Sequence, residues 1–167
     1  MSKAQEVLLG RRSALVISLD FELLWGVRDH ADRTTYGGNV LGERHAIPAM
    51  LQLFKRYEVR ATWASVGMAF AANKKELLDS APSLRPTYSN PRLSNYTYFD
   101  EVGENEDEDP YYFGASLLKR IQDVDGQEIG SHTYSHYYCL EPGQTVQQFE
   151  ADIKAAKEIA SRRGIRI

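Results

Sequence analysis

A single cysteine, Cys139, rules out an intrachain disulfide and leaves the redox compartment undiagnosed. No stretch approaches the ~20 consecutive apolar residues needed to cross a bilayer, so no membrane span is expected. Lys and Arg form no stripe, which removes nucleic acid from the expected partners. The opening MSKAQEVLLGRRSALVISLDF has no secretory layout, since Arg11 and Arg12 precede only Ala14 to Leu19 before Asp20 intervenes. A cytoplasmic protein is the expectation. What is present is an ordinary globular composition, 43% hydrophobic and 26% charged, over the 167 residues of one domain. The net charge of −3 averages two unlike parts. Seven carboxylates crowd into Asp100 to Asp109, read as a solvated loop, and the remainder is mildly basic.

Ala14-Leu-Val-Ile-Ser-Leu19 is a short β-branched apolar run, predicting a strand buried on both faces. A polar, glycine-containing loop is expected from about Val27 to Glu43. Ile47, Met50, Leu51, Phe54 and Tyr57 recur at helical spacing, with Pro48 in the first turn. Val59 to Val66 reads as a second strand. Residues 71–110, with four prolines and the acidic run, read as a long loop or insertion. A helix is predicted over Tyr111 to Val124, and Gln127 to Ser131 predicts a short strand running into His132. The last helix opens on Thr145 and Gln148 at capping-box spacing. Its apolar face is Val146, Phe149, Ile153, Ala156 and Ala160, and Gly164 stands where the chain turns left-handed. Ile165 to Ile167 is strand-like. This alternation predicts an α/β fold with parallel strands. Three strands and a stub leave an edge open, so the expectation is the N-terminal part of a larger domain.

Asp20-Phe21-Glu22 closes the first strand. Alternation puts Asp20 and Glu22 on one face and turns Phe21 away to pack. His132-Thr-Tyr-Ser-His136 follows the third strand at the same carboxyl end, where parallel α/β folds build their sites. The i, i+4 spacing predicts two imidazoles on one face of a helical turn. Two neutral nitrogens with one or two carboxylates suit zinc or another first-row divalent ion better than magnesium or calcium. Three protein ligands would leave room for water and substrate.

The segments ALVISLDFELLWG, VRATWASVG and GQEIGSHTYSH resemble, in that order, the opening of the polysaccharide deacetylase family, carbohydrate esterases with the NodB-homology fold. The likeness runs from about Ala14 to Gly164. It implies an irregular parallel-strand (β/α) barrel of which residues 1–167 are about the first half, with 71–110 as an insertion. It further implies that His132, His136 and Glu22 hold the divalent metal and that Asp20 is the catalytic base. Many members have two adjacent aspartates where this chain has Asp-Phe-Glu. The implied reaction removes an N-acetyl group from an amino sugar in a polysaccharide or glycolipid precursor, so an N-acetylated carbohydrate is the implied partner. The family's general acid and its base-orienting arginine lie in later barrel segments. The expectation is therefore a chain that binds metal poorly and turns over substrate barely or not at all.

Other candidates are set lower. Trp25 is a candidate for stacking on a sugar ring; Trp63, Tyr134, Tyr137 and Tyr138 are read as core. His30 is read as a loop histidine, His45 as lying at a helix start, and Cys139 as a packed thiol. The alternatives are a related C–N hydrolase acting on a small amide, an Fe(II) oxygen site, and a catalytically silent binding module.

Overall fold

The computed structural model describes residues 14–167, so the reading of Arg11 and Arg12 lies outside the described residues. Three strands, β1 (Ser18–Phe21), β2 (Ala61–Ser65) and β3 (Gln127–Ser131), form one parallel sheet in the order β1-β2-β3. The helices are α1 (Arg33–Arg56), α2 (Lys74–Ser80), α3 (Ala115–Gln122) and α4 (Val146–Arg162). The α/β alternation predicted from periodicity is present. In register, Phe21 pairs with Ser65 and Ser65 with Ser131, so the three strands end level. Glu22 and His132 therefore leave the sheet from matching positions on either side of β2.

Burial on both faces is not what β1 shows. Phe21 is 1% exposed, whereas Ser18 and Asp20 are exposed, as is Glu128 on the same face of β3. The helices cover the face that carries Phe21, Trp63 and Ile129. The opposite face is polar among the described residues, with the Thr62 hydroxyl donating to Glu128 at 2.6 Å. Hydrophobic continuity before Asp20 misled the reading, because Leu15 and Val16 precede the strand and are 87% and 80% exposed.

Helix α1 begins well before the predicted loop ends. Asp32 caps it by accepting from the N–H groups of Thr34 and Thr35, and the Thr35 hydroxyl completes the box. Three glycines in this segment lower its intrinsic helicity by about 1 kcal/mol each, which is why it reads as loop. Packing overrides that cost at Gly37, where a Cβ would meet the Tyr111 ring at 2.9 Å. Pro48 and His45 consequently lie inside the helix, not at its start. Pro48 removes one ladder hydrogen bond there, and the flanking Ile47 and Leu51 are buried.

The 71–110 segment is folded against this core. Asn73 caps α2, two 3-10 helices follow at Pro91–Leu93 and Asn95–Glu101, and Leu77, Tyr96, Phe99 and Val102 are buried. The acidic run is partly latched rather than simply solvated. Asp109, 1% exposed, accepts from Arg33 at 2.6 Å, while Glu106 pairs with Arg44 and Glu101 with Arg28. The predicted helix over 111–124 is shorter, because Tyr111 to Gly114 run irregularly before α3. Helix α4 has the predicted capping box and a left-handed Gly164 (φ +68°). Its buried face differs: Val146 is 67% exposed, and Gln148 and Asp152 are inside with Ala155, Ala156 and Ile159. Ile165 to Ile167 form no strand. No helix of the described residues is long and apolar enough to cross a membrane.

Candidate metal centre

The tip of β1 delivers Glu22 and the tip of β3 delivers His132, each directly after its last strand residue. The Val66 amide donates to Phe21 and the His132 amide to Ser65, which stitches the two tips to β2. Glu22 Oε2 lies 3.3 Å from His136 Nε2 and 3.7 Å from His132 Nε2. One ligand atom from each of Glu22, His132 and His136 lies within 4.8 Å of the others. Asp20 is the more exposed acid, 3.8 Å from His132 Nδ1. The structure thus brings all four predicted residues to one place.

The carboxyl of Glu22 is held below its ordinary range by contact with the His136 imidazole, against the opposing effect of burial. Its side chain lies over Gly26, where a Cβ would come within 2.0 Å of the Glu22 carboxyl carbon. Gly26 is there for space.

The histidine segment is not the helical turn predicted from i, i+4 spacing. It is an irregular loop in which Thr133 (φ 64°) and His136 (φ 54°) are both left-handed. The imidazole rings still sit 5.0 Å apart at an interplanar angle of 33°. Such conformations cost non-glycine residues about 1 kcal/mol or more each, so the loop needs external ties. The Thr133 hydroxyl accepts from the Tyr137 amide at 2.7 Å, and the carbonyls of Thr133 and Tyr134 accept from Gly67 and Met68. Asn95 donates to the carbonyls of Trp25 and Ser135, joining both halves of the site through the 71–110 segment. Asp152 accepts from the amides of Tyr134 and Ser135 and from the Ser135 hydroxyl. Asn95 and Asp152 were missed by sequence reasoning. A charged residue at an inward helix position, Asp152 between Phe149 and Ala156, is the one signal that could have found the second.

Trp25 does not reach the pocket. It is 1% exposed, donates its indole N–H to the Tyr112 carbonyl at 2.9 Å, and packs edge-on against Phe99. The aromatic beside the histidines is the half-buried Tyr138, its ring 5.3 Å from His136. His30 is largely exposed and contacts Asp29 at 2.6 Å. Cys139 is exposed, not packed. A pocket of about 230 Å³ is lined by Ser131, His132, Thr133, His136 and Tyr137. A larger groove of about 870 Å³ runs along α4 by Ile153 and Ile167, with none of the four site residues in its lining.

Glu43, half-buried on α1, has its carboxyl pushed up to about 7, by burial first and by the charge of Glu22 second. Between the ordinary value of 4.5 and about 7 the folded chain holds this proton more tightly than the unfolded one, so stability falls as pH rises. Metal-free Glu43→Gln is expected to exceed wild type by about 1–2 kcal/mol at pH 8, after allowance for solvent screening, and to match it near pH 4. Thermal melts at both pH values check this, and an equal difference at each would exclude the charge.

The polysaccharide deacetylase family model matches residues 38–163. The chain belongs to the polysaccharide deacetylase family. Searches of curated proteins and of solved structures gave no match. His132 and His136 fall inside the stretch matched to the deacetylase family, and Asp20 and Glu22 precede it. At family level the chain is a deacetylase-type hydrolase.

Proposed function

We propose that the chain is a metal-dependent N-deacetylase in which Glu22, His132 and His136 hold one zinc-like cation and Asp20 is the base. The observation that carries this is the spacing of Glu22 from both imidazoles, with the three donor atoms all within 4.8 Å of one another. Atoms each about 2.1 Å from a tetrahedral ion lie about 3.4 Å apart, and the Glu22–His136 and Glu22–His132 separations are 3.3 and 3.7 Å. Two imidazoles with one carboxylate also suit zinc chemically. His136 Nδ1 is buried without a hydrogen-bonding partner among the described residues, and Nε2, 3.3 Å from Glu22, is the ring nitrogen assigned to the cation.

Such a cation, when bound, polarises an acetyl carbonyl and makes a water molecule easier to deprotonate. The rest falls to the chain. Glu22 stays ionised, matching its lowered pKa, and brings negative charge to the donor set. Asp20, outside the close trio and 3.8 Å from His132 Nδ1, is the proposed acceptor of the proton from the attacking water. Phe21, turned into the core, fixes the direction of both acids. The polar face of the sheet, with Asp20, Thr62 and Glu128, fits the lumen side of the barrel that the family resemblance implies. An N-acetylated amino sugar is the proposed substrate.

Acetate release from N-acetylglucosamine oligomers tests the reading. Only slow release is expected, since the family's general acid lies in none of the matching motifs, and that release should need zinc and stop on chelation and in Asp20→Asn; release indifferent to both would contradict the reading. A second expectation concerns Gly26. Gly26→Ala moves a flexible carboxylate rather than backbone, so a small stability change and an approximately tenfold loss of zinc affinity are expected. Paired calorimetric titration and melting measure both, and unchanged affinity would mean that Glu22 does not use that space.

A further inference from the structure

The loop bearing both histidines is held in a conformation it would not choose. Thr133 and His136 are left-handed without being glycine, and His136 is itself one of the donors. Between them, Tyr134 and Ser135 point their amides into the protein, and one carboxylate receives both. Asp152 Oδ1 accepts from Tyr134 N at 2.6 Å and from Ser135 N at 3.4 Å. Asp152 Oδ2 accepts from Ser135 Oγ at 2.5 Å and from the Tyr96 hydroxyl at 3.3 Å. The residue is 1% exposed, in the second turn of α4. A carboxylate buried so fully is costly unless its lone pairs are used, and here four donors use them.

We infer that Asp152 is a positioning residue for the metal centre: it clamps the two amides between the left-handed positions and so sets the direction of His136 relative to His132. This rests on the reading of Glu22, His132 and His136 as metal ligands. It does not assign Asp152 any contact with substrate. The geometry favours this role over a general packing one. Three of its four contacts fall on the two residues that separate Thr133 from His136, and the fourth comes from Tyr96, on the segment whose Asn95 ties the Ser135 carbonyl. Removing the clamp releases the loop toward ordinary backbone angles and spreads the imidazoles. Partners that orient metal ligands typically contribute about 10–100-fold to affinity.

The test is zinc titration by calorimetry of wild type, Asp152→Ala, Asp152→Asn and Ser135→Ala, with amide hydrogen exchange at Tyr134 and Ser135 in the metal-free proteins. Asp152→Ala is expected to bind zinc about 10–100-fold more weakly and to exchange both amides faster. Asp152→Asn keeps the shape and one acceptor, so it should recover part of the loss. Ser135→Ala, which removes one hydroxyl and leaves the amides bonded, should lose only a few-fold and decides the matter if Asp152→Ala does not fold. Wild-type affinity in both Asp152→Asn and Ser135→Ala would overturn the inference while leaving the metal centre standing. Absence of saturable zinc binding by wild type would instead overturn the reading of the centre and the inference with it.

Discussion

Glu22→Ala is expected to lower zinc affinity by about 100-fold or more, with little loss of folded stability. Removing a direct ligand should cost at least as much as removing an orienting partner, whose loss already costs about 10–100-fold. Stability should survive because Glu22 lies beyond the strand, and its carboxylate meets the two imidazoles at 3.3 and 3.7 Å rather than the core. Truncation also relieves the folded state of a half-buried charge. Calorimetric titration measures the affinity and a chemical melt the stability. Retained affinity would remove Glu22 from the centre and leave the two histidines without their acid.

Trp25→Ala should do the reverse, lowering stability by about 3–5 kcal/mol through the cavity it leaves. The indole fills space against Tyr112, at 4.5 Å between ring centroids, and against Phe99. Its N–H bond to the Tyr112 carbonyl would be lost as well, leaving a buried acceptor unpaired at a cost of about 1–3 kcal/mol if no water replaces it. A sugar-stacking residue would raise KM and leave the melt untouched. Urea unfolding distinguishes the two, and a change of less than about 1 kcal/mol would return Trp25 to the surface.

These two residues show where sequence was and was not sufficient. The gathering of Asp20, Glu22, His132 and His136 was legible because they lie at or just after the ends of strands that a parallel sheet must align, and side-chain alternation then decides which acids share a face. Trp25 was misjudged because nearness to a site along the chain says nothing of direction. The single 3-10 turn at Leu23–Gly26 swings the indole into the core and leaves Glu22 outside. The histidine loop was misjudged for the related reason that i, i+4 spacing implies proximity only if the backbone is helical. Here proximity comes from two left-handed residues and from Asp152, a tie between positions 17 and 18 residues apart. The start of α1 was hidden by glycines whose cost is met by a capping box and by the Tyr111 ring. Burial of charge at Asp109 and Asp152 lay beyond hydrophobic patterning, which places carboxylates outside by default.

The most direct test of the centre is the zinc coordination shell itself, read by X-ray absorption at the zinc edge on stoichiometrically loaded protein. One zinc per chain is expected, with two imidazole nitrogens and light oxygen ligands at about 2.0–2.2 Å. The imidazole contribution should fall by one in His132→Ala and by one in His136→Ala. A shell with no imidazole in the wild type, or one unchanged in both variants, would contradict the account.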